Sequence, residues 1–350
     1  MTSVEGAVSI AYEDLVSSPL SLTNHIEKAF GSSTESLGII IVRGLPPIYS
    51  VYRERLLKLS YAFAKLDGHV RERYADPRSR YNFGWSHGKE IMNGKPDVLK
   101  GSYYANPVVE NPDVSPALQE AYPEYYNKNI CTFLGPNGDE IGVDGFENAF
   151  KDLGKFIFEV GCQLAIACQP FALSHLNDSS VPLPELISTS NTVKARLLHY
   201  FPPTGDSPPA DDNDAVDDWC GWHRDHSILT GLCSAMYLQE HDSGVDIVPS
   251  PSPGSGLYIR TRGGDLRKVS IPVDCLAFQT GEALEVATGG KLRATPHCVR
   301  VGPTPGADKI SRETFAVFMQ PDVEQHLTNS CTFGQFSKEV FDEHYNDAVV

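Results

Sequence analysis

The chain has 350 residues, of which 41% are hydrophobic and 21% charged, and its formal net charge is −16. This composition supports a large buried core and excludes wholesale disorder. An acidic excess gives no general attraction to nucleic acid or to an anionic membrane surface. No apolar run approaches the ~20 residues that a membrane-spanning helix needs, and residues 1–12 lack the pattern of a secretory signal.

The eight cysteines are scattered along the chain without a C-x-x-C pair. In a chain of this length they predict buried, reduced thiols rather than a disulfide framework. Together with the absence of a signal pattern, this favours a cytoplasmic protein.

The first half of the chain alternates helical patterns with irregular segments. Residues 20–30 and 49–67 have apolar residues at helical spacing, whereas the apolar run LGIIIVRGLP at 37–46 favours a buried strand. Residues 78–113 are rich in Gly, Pro and Asn and predict an irregular connection. The strongest helical pattern covers 144–176, long enough to brace a sheet.

From residue 192 onward the pattern changes to short runs rich in Val, Ile, Tyr and Phe, separated by turn residues. Such runs predict a sandwich or barrel. They lie at 193–201, 232–239, 257–260, 267–271, 274–278, 295–301 and 313–319. Two polar connections, 204–218 and 241–256, interrupt them, and a C-terminal helix is predicted at 335–350.

Three residues in this second half form a candidate metal site. His223 and Asp225 are two positions apart in GWHRDHSILT, a spacing that puts both on one face of a strand. His297 lies in a later strand-like segment. Two histidines and one carboxylate are the usual ligands of non-haem Fe(II) that activates O₂, because they leave coordination positions open. His226 is predicted to face away from His223 and to lie beside the site or in the core.

A candidate carboxylate site follows in SRETFAVF at 311–318. Arg312 and Thr314 are again two apart, so they share one strand face. Arginine binds a carboxylate through two hydrogen bonds, and a hydroxyl adds another. This pair suits the distal end of a dicarboxylate such as 2-oxoglutarate.

In their order along the chain, these motifs resemble the Fe(II)/2-oxoglutarate oxygenases of the isopenicillin N synthase-like superfamily. HRDHSILT, GEALEVATGGKLRATPH at 281–297 and SRETFAVFMQP carry the C-terminal part of the resemblance. GWSHGKEIMNGKPDVLKGSYY at 84–104 and HYFPP at 199–203 carry its N-terminal part, so the resemblance covers nearly the whole chain.

The resemblance implies one domain over 1–350, α+β and mainly β, with a double-stranded β-helix (jelly-roll) core at 190–322. An N-terminal oxygenase region at 8–125 with flanking helices and the long bracing helix would surround this core. It also implies catalysis by Fe(II) bound to His223, Asp225 and His297, with O₂ and 2-oxoglutarate as co-substrates.

The resemblance further implies that the distal carboxylate of 2-oxoglutarate binds Arg312 and Thr314, with His199 and Phe201 at the cofactor site. His199 and Phe201 replace an Asn and a Tyr of the family's NYYPP segment, which removes one hydroxyl. Tyr103, Tyr104, Arg196 and Arg293 are the expected substrate-pocket residues.

The implied activity is oxidation of a small molecule, by hydroxylation, desaturation or ring closure, with release of succinate and CO₂. The protein is expected to be a monomer without nucleic-acid or membrane partners. The acidic segment 204–218, which directly precedes the metal-binding strand, is predicted to act as a lid.

Three alternatives remain open. An oxidase of the same superfamily would not use 2-oxoglutarate, and its Arg312 and Thr314 would bind the carboxylate of the substrate itself. A jelly-roll binding protein would have lost turnover altogether. A zinc hydrolase fits less well, because its ligands are more often three His, or two His and a Glu.

Overall fold

Two β-sheets enclose a common apolar interior in the computed structural model, which describes residues 7–92, 95–130, 143–177, 181–202, 220–242, 244–300 and 309–338. The strands are β1 (Val8–Ala11), β2 (Ile39–Arg43), β3 (Gly84–His87), β4 (Ile91–Met92), β5 (Lys95–Pro96), β6 (Lys100–Ala105), β7 (Lys194–Tyr200), β8 (Cys220–His223), β9 (Leu229–Cys233), β10 (Met236–His241), β11 (Gly244–Val248), β12 (Gly256–Arg260), β13 (Leu266–Val269), β14 (Leu276–Thr280), β15 (His297–Arg300), β16 (Ile310–Met319), β17 (His326–Thr328) and β18 (Cys331–Thr332).

Helices lie mainly in the first half of the chain. They are α1 (Tyr12–Ser17), α2 (Thr23–Phe30), α3 (Ile48–Ala64), α4 (Gly68–Glu72), α5 (Pro116–Ala121), α6 (Pro123–Tyr126), α7 (Phe146–Cys168), α8 (Ser174–Asn177), α9 (Leu183–Ser188) and α10 (Glu282–Ala287), with 3₁₀ turns at Pro19–Leu22, Pro77–Ser79 and Gln169–Phe171. Residues 333–338 are also helical, and the rest of the predicted C-terminal helix lies outside the described residues.

The large sheet has the strand order β1-β2-β14-β9-β16-β7-β6-β3, with the β10–β11 hairpin attached to β16. The small sheet has the order β13-β12-β15-β8. Side chains from both sheets form one buried cluster, so the sheets pack face to face. This arrangement confirms the predicted double-stranded β-helix core with flanking helices.

Helix α7 braces the outer face of the large sheet, as predicted. Its Phe150 ring packs edge-on against Phe315 of β16, with centroids 5.0 Å apart. A Cβ at Gly161 would lie 2.1 Å from the sulfur of Met319, so this glycine permits close approach of helix and sheet. The helix ends at Cys168, earlier than predicted, because Pro170 follows and has no N–H for a helical hydrogen bond.

The segment predicted to be irregular, 78–113, contains two strands of the large sheet. Strand β6 is buried along its whole length and pairs with both β3 and β7. A strand buried on both faces has no polar–apolar alternation, which is why its pattern was missed. The polar connection at 241–256 contains β11, which pairs with β10 and extends the sheet edge. No helix in the described part of the chain is long and apolar enough to cross a membrane.

Candidate metal centre and cavity

Three metal-ligating side chains meet at one end of the small sheet. His223 ends β8, His297 begins β15, and the two residues are direct partners across the two strands. Asp225 lies just beyond β8, so its side chain is placed by the chain's turn rather than by strand alternation. The Oδ1 atom of Asp225 lies 3.8 Å from Nε2 of His223 and 3.7 Å from Nε2 of His297. The candidate ligand atoms all lie within 4.8 Å of one another, so they can share one ion.

Hydrogen bonds to the backbone fix the orientation of both imidazole rings. Nδ1 of His223 donates to the carbonyl of Gly221 at 2.8 Å, and Nδ1 of His297 donates to the carbonyl of Thr295 at 3.1 Å. Each bond leaves Nε2 directed at the shared space, where it can bind a metal ion once it is deprotonated. This is the usual way in which a protein fixes the tautomer of a metal-binding histidine.

Asp225 is held by two neighbours that the sequence analysis missed. Thr230 Oγ1 and Gln279 Nε2 donate to its Oδ2 at 2.6 and 2.7 Å, which leaves Oδ1 facing the histidines. Thr230 and Gln279 are direct partners across β9 and β14. A prediction that β9 pairs with β14 would have identified Thr230 and Gln279, since both side chains point from the large sheet towards Asp225.

The three ligands strongly affect one another's protonation. Burial raises the pKa of Asp225, but the adjacent His297 and His223 and its two hydrogen bonds outweigh this and hold it below the usual value. Burial lowers the pKa of His223, whereas Cys220 and Asp225 raise it to a net value of about 9. Burial and the charge of His223 lower the pKa of His297 to about 4. Near neutral pH the two imidazoles of His223 and His297 therefore carry one proton more than two neutral rings would, and a metal ion would displace it.

The candidate metal ligands open into a cavity between the two sheets, with a volume of about 200 Å³. Its size suits a small molecule. Besides the three ligands, its lining includes Arg196, Tyr200, Arg312 and Thr314. The predicted carboxylate site and metal site therefore share one cavity.

Arg312 has the surroundings expected of an anion-binding residue. It is buried, and its guanidinium lies 4.8 Å from the centre of the Tyr200 ring. Its Nε and Nη1 atoms are buried without a hydrogen-bond partner, and no described carboxylate lies within ion-pair distance. Buried N–H groups without partners are costly, so this site fits an anionic group that accepts hydrogen bonds from the guanidinium.

The other two predicted cofactor residues lie on the opposite side of β7. His199 Nδ1 pairs with Glu313 Oε1 at 2.7 Å, and the ring of Phe201 stacks on His87 with centroids 4.7 Å apart. Neither side chain lines the cavity. Side chains alternate along β7, so that Arg196, Leu198 and Tyr200 face the cavity and the residues between them face the helices. Tyr200, which lies between them, is the residue that does line the cavity.

The four predicted substrate residues are separated in a similar way. Arg196 lines the cavity, and Tyr104 stacks on its guanidinium at 4.9 Å from the ring centre. Tyr103 is a core residue whose ring packs against Phe146, with centroids 5.0 Å apart. The Arg293 side chain is 53% exposed and pairs with Glu285 outside the cavity.

Two further predictions concern residues around the ligands. His226 Nδ1 lies 3.2 Å from Glu282 Oε2 and is not part of the three-residue metal group. The proposed lid, 204–218, lies outside the described residues.

No protein-family model matches this sequence. The chain is similar to a UPF0676 protein of Schizosaccharomyces pombe, with 26% identity over 216 residues, which cover 60% of this chain and 56% of that protein. It is also similar to a protein of Dictyostelium discoideum named "probable iron/ascorbate oxidoreductase", with 24% identity over 320 residues that cover 87% of this chain and 77% of the relative.

Solved structures give broader coverage at lower identity. A candidate 2OG-Fe(II) oxygenase family protein from Caulobacter crescentus aligns with a TM-score of 0.65 and 17% identity over 96% of this chain and 98% of its own. A full-length Neurospora crassa protein, solved in complex with alpha-KG and 5-formyluracil, aligns with a TM-score of 0.58 and 16% identity over 93% of this chain and 89% of its own. This chain therefore has the double-stranded β-helix fold of the 2OG-Fe(II) oxygenase structures.

Proposed function

We propose that the protein is an Fe(II)- and 2-oxoglutarate-dependent oxygenase that acts on a small molecule. The observation that carries this proposal is the combination of a His-Asp-His cluster with a buried, unpaired arginine in one cavity. A zinc hydrolase or a simple binding protein needs no such arginine. The similar structure solved with alpha-KG supports the same interpretation.

His223, Asp225 and His297 would hold Fe(II), with Nε2 of each imidazole and Oδ1 of the carboxylate directed at the ion. Bound Fe(II) with 2-oxoglutarate would supply O₂ activation and substrate oxidation, with succinate and CO₂ as products. Thr230 and Gln279 keep Asp225 in its ligating orientation. Arg312 and Thr314 would orient the distal carboxylate of 2-oxoglutarate, and Tyr200 packs against the Arg312 guanidinium.

The sheets contribute by enclosing the site. Apolar side chains of both sheets, among them Leu198, Leu257 and Val299, form walls that limit access of water. A dry cavity strengthens the electrostatic interactions inside it and protects a reactive centre from side reactions. The proposal retains the expectations of a monomeric, cytoplasmic protein without nucleic-acid or membrane partners.

An anaerobic titration tests the proposal. Purified metal-free protein is titrated first with Fe(II) and then with 2-oxoglutarate, and the visible charge-transfer band of the chelate is recorded. We expect the band, and we expect succinate after O₂ is admitted. Fe(II) binding without the band would favour the oxidase alternative, and failure to bind Fe(II) by folded protein would refute the metal site.

A further inference from the structure

The cavity has a charge opposite in sign to that of the whole chain. Its lining includes three cationic side chains, Arg196, Lys268 and Arg312, whereas Asp225 is the one acidic residue among the described lining residues. The chain as a whole has a formal net charge of −16. A positive cavity in an acidic protein concentrates small anions at that site.

Several contacts hold the Arg196 side chain in the wall of the cavity. Its Nε donates to Ser102 Oγ at 2.9 Å, and its Nη2 donates to Glu90 Oε1 at 2.6 Å. The Tyr104 ring covers one face of the guanidinium, and the side chain is only 13% exposed. Nη1 makes no hydrogen bond to any described residue, so the guanidinium of this cavity-lining residue retains a donor for a ligand.

Glu90 also pairs with a second buried cation, Lys100, so that Arg196 and Lys100 together face two carboxylates, Glu90 and Asp97. Lys100 Nζ lies 3.0 Å from Glu90 Oε2 and 2.8 Å from Asp97 Oδ2, and its side chain is 2% exposed. Although burial raises the pKa of Glu90, Arg196 and Lys100 outweigh burial and hold that pKa well below its usual value. Neither carboxylate lines the cavity, whereas Arg196 does.

Arg196 and Arg312 leave the backbone at different points of the cavity wall. Arg312 is the register partner of Tyr200 on the adjacent strand, and Arg196 lies four residues before Tyr200. At ~3.3 Å per residue this separates the Cα atoms of the two arginines by roughly 13 Å along the strands. The inner face between them carries Leu198 and its register partner Thr314, and apolar side chains such as Leu232, Leu257 and Val299 line other parts of the cavity.

We propose that Arg196 binds a carboxylate of the primary substrate, and that Glu90 and Ser102 position its guanidinium. The substrate class is then a small organic acid with an apolar body that lies against the apolar side chains of the cavity, such as Leu198, Leu257 and Val299. The inference rests on the proposed function, since it assigns Arg312 to 2-oxoglutarate and leaves Arg196 for the substrate.

The test measures binding without turnover. Protein saturated anaerobically with Fe(II) and 2-oxoglutarate is titrated by calorimetry with phenylacetate, cinnamate and octanoate, and with the primary amide of each. Saturating 2-oxoglutarate occupies Arg312, so further acid binding reports a second anion site. We expect at least one acid to bind ~10-fold or more tightly than its amide, the scale of a charge-assisted hydrogen bond.

Variants assign that preference to a residue. Arg196→Gln should weaken acid binding at least ~10-fold and remove the preference for the acid over the amide. Glu90→Gln should reduce the preference while the 2-oxoglutarate band stays intact, an effect that a general loss of structure would not produce. Arg293→Gln, at an exposed arginine outside the cavity, should bind like the wild type. If Arg196→Gln does not fold because Glu90 is left buried, the double variant with Glu90→Gln removes both charges.

Unchanged acid binding by Arg196→Gln would overturn the inference. So would the absence of any acid preference in wild-type protein that shows the 2-oxoglutarate band. Loss of the band in the wild type would instead refute the proposed function, so the two failures are distinguishable.

Discussion

Replacing Arg312 by glutamine should weaken 2-oxoglutarate binding strongly while leaving the fold and the metal site intact. Arg312 has two buried N–H groups without partners and no carboxylate within ion-pair distance among the described residues. Its removal therefore leaves no uncompensated buried acid. Two charge-assisted hydrogen bonds contribute about 3–6 kcal/mol together, and one glutamine bond offsets part of this. A net loss of about 2–4 kcal/mol is roughly a 30- to 700-fold weaker affinity.

The assay is the anaerobic chelate band recorded against 2-oxoglutarate concentration, with Fe(II) affinity measured separately as an internal reference. Arg300→Gln is the matched control, because Arg300 also stacks on a tyrosine, 5.1 Å from the Tyr258 ring centre, and has a buried Nε without a partner. Arg300 does not line the cavity. Wild-type 2-oxoglutarate affinity in Arg312→Gln, or an equal loss in Arg300→Gln, would refute the assignment of the carboxylate to Arg312.

Three further changes test other parts of the structure. Gln279→Leu removes the hydrogen bond that orients Asp225 and should lower Fe(II) affinity about 10- to 100-fold in a metal titration; unchanged affinity would contradict this role. His199→Ala breaks the buried contact with Glu313 and should lower the free energy of unfolding by about 1–3 kcal/mol, while a wild-type 2-oxoglutarate affinity checks that His199 acts outside the cavity. Burial lowers the pKa of Lys194 well below its usual value, so the wild type gains stability as pH rises towards the unfolded pKa of about 10.4. Lys194→Met should therefore be the more stable protein in urea at pH 7, with an advantage that shrinks towards pH 10; a pH-independent difference would show that Lys194 stays charged when buried.

The sequence was sufficient to predict the core fold and the three side chains that converge in the candidate metal centre. Residue type and spacing single out His223, Asp225 and His297, because two histidines and one carboxylate are the usual ligand set of non-haem Fe(II). Arg312 and Thr314 follow from strand alternation. The strands after residue 192 are short and bounded by turn residues, which makes their pattern recognisable even though their bounds shift by a few positions.

The missed features depend on contacts between distant segments. Ser102 contacts Arg196 because β6 pairs with β7, and β6 lacks the alternation that marks a strand with one exposed face. Thr230 and Gln279 support Asp225 through a strand pairing that no single segment encodes. Buried charges such as Lys100 also contradict the usual expectation that charged residues mark the surface.

Side chains alternate between the two faces of β7 and β16. This alternation explains why His199 and Phe201, which the family motif indicated as cofactor residues, lie on the side of the sheet away from the cavity. Glu313 and His199 are direct partners across these strands, as are Arg312 and Tyr200. A shift of one residue in this pairing would exchange the cavity face for the face packed on the helices. The buried His199–Glu313 contact, with Ser60 of α3 donating to Glu313 at 2.6 Å, stabilises the observed register. His199 therefore contributes to the cavity indirectly, because in this register Arg312 lies over Tyr200.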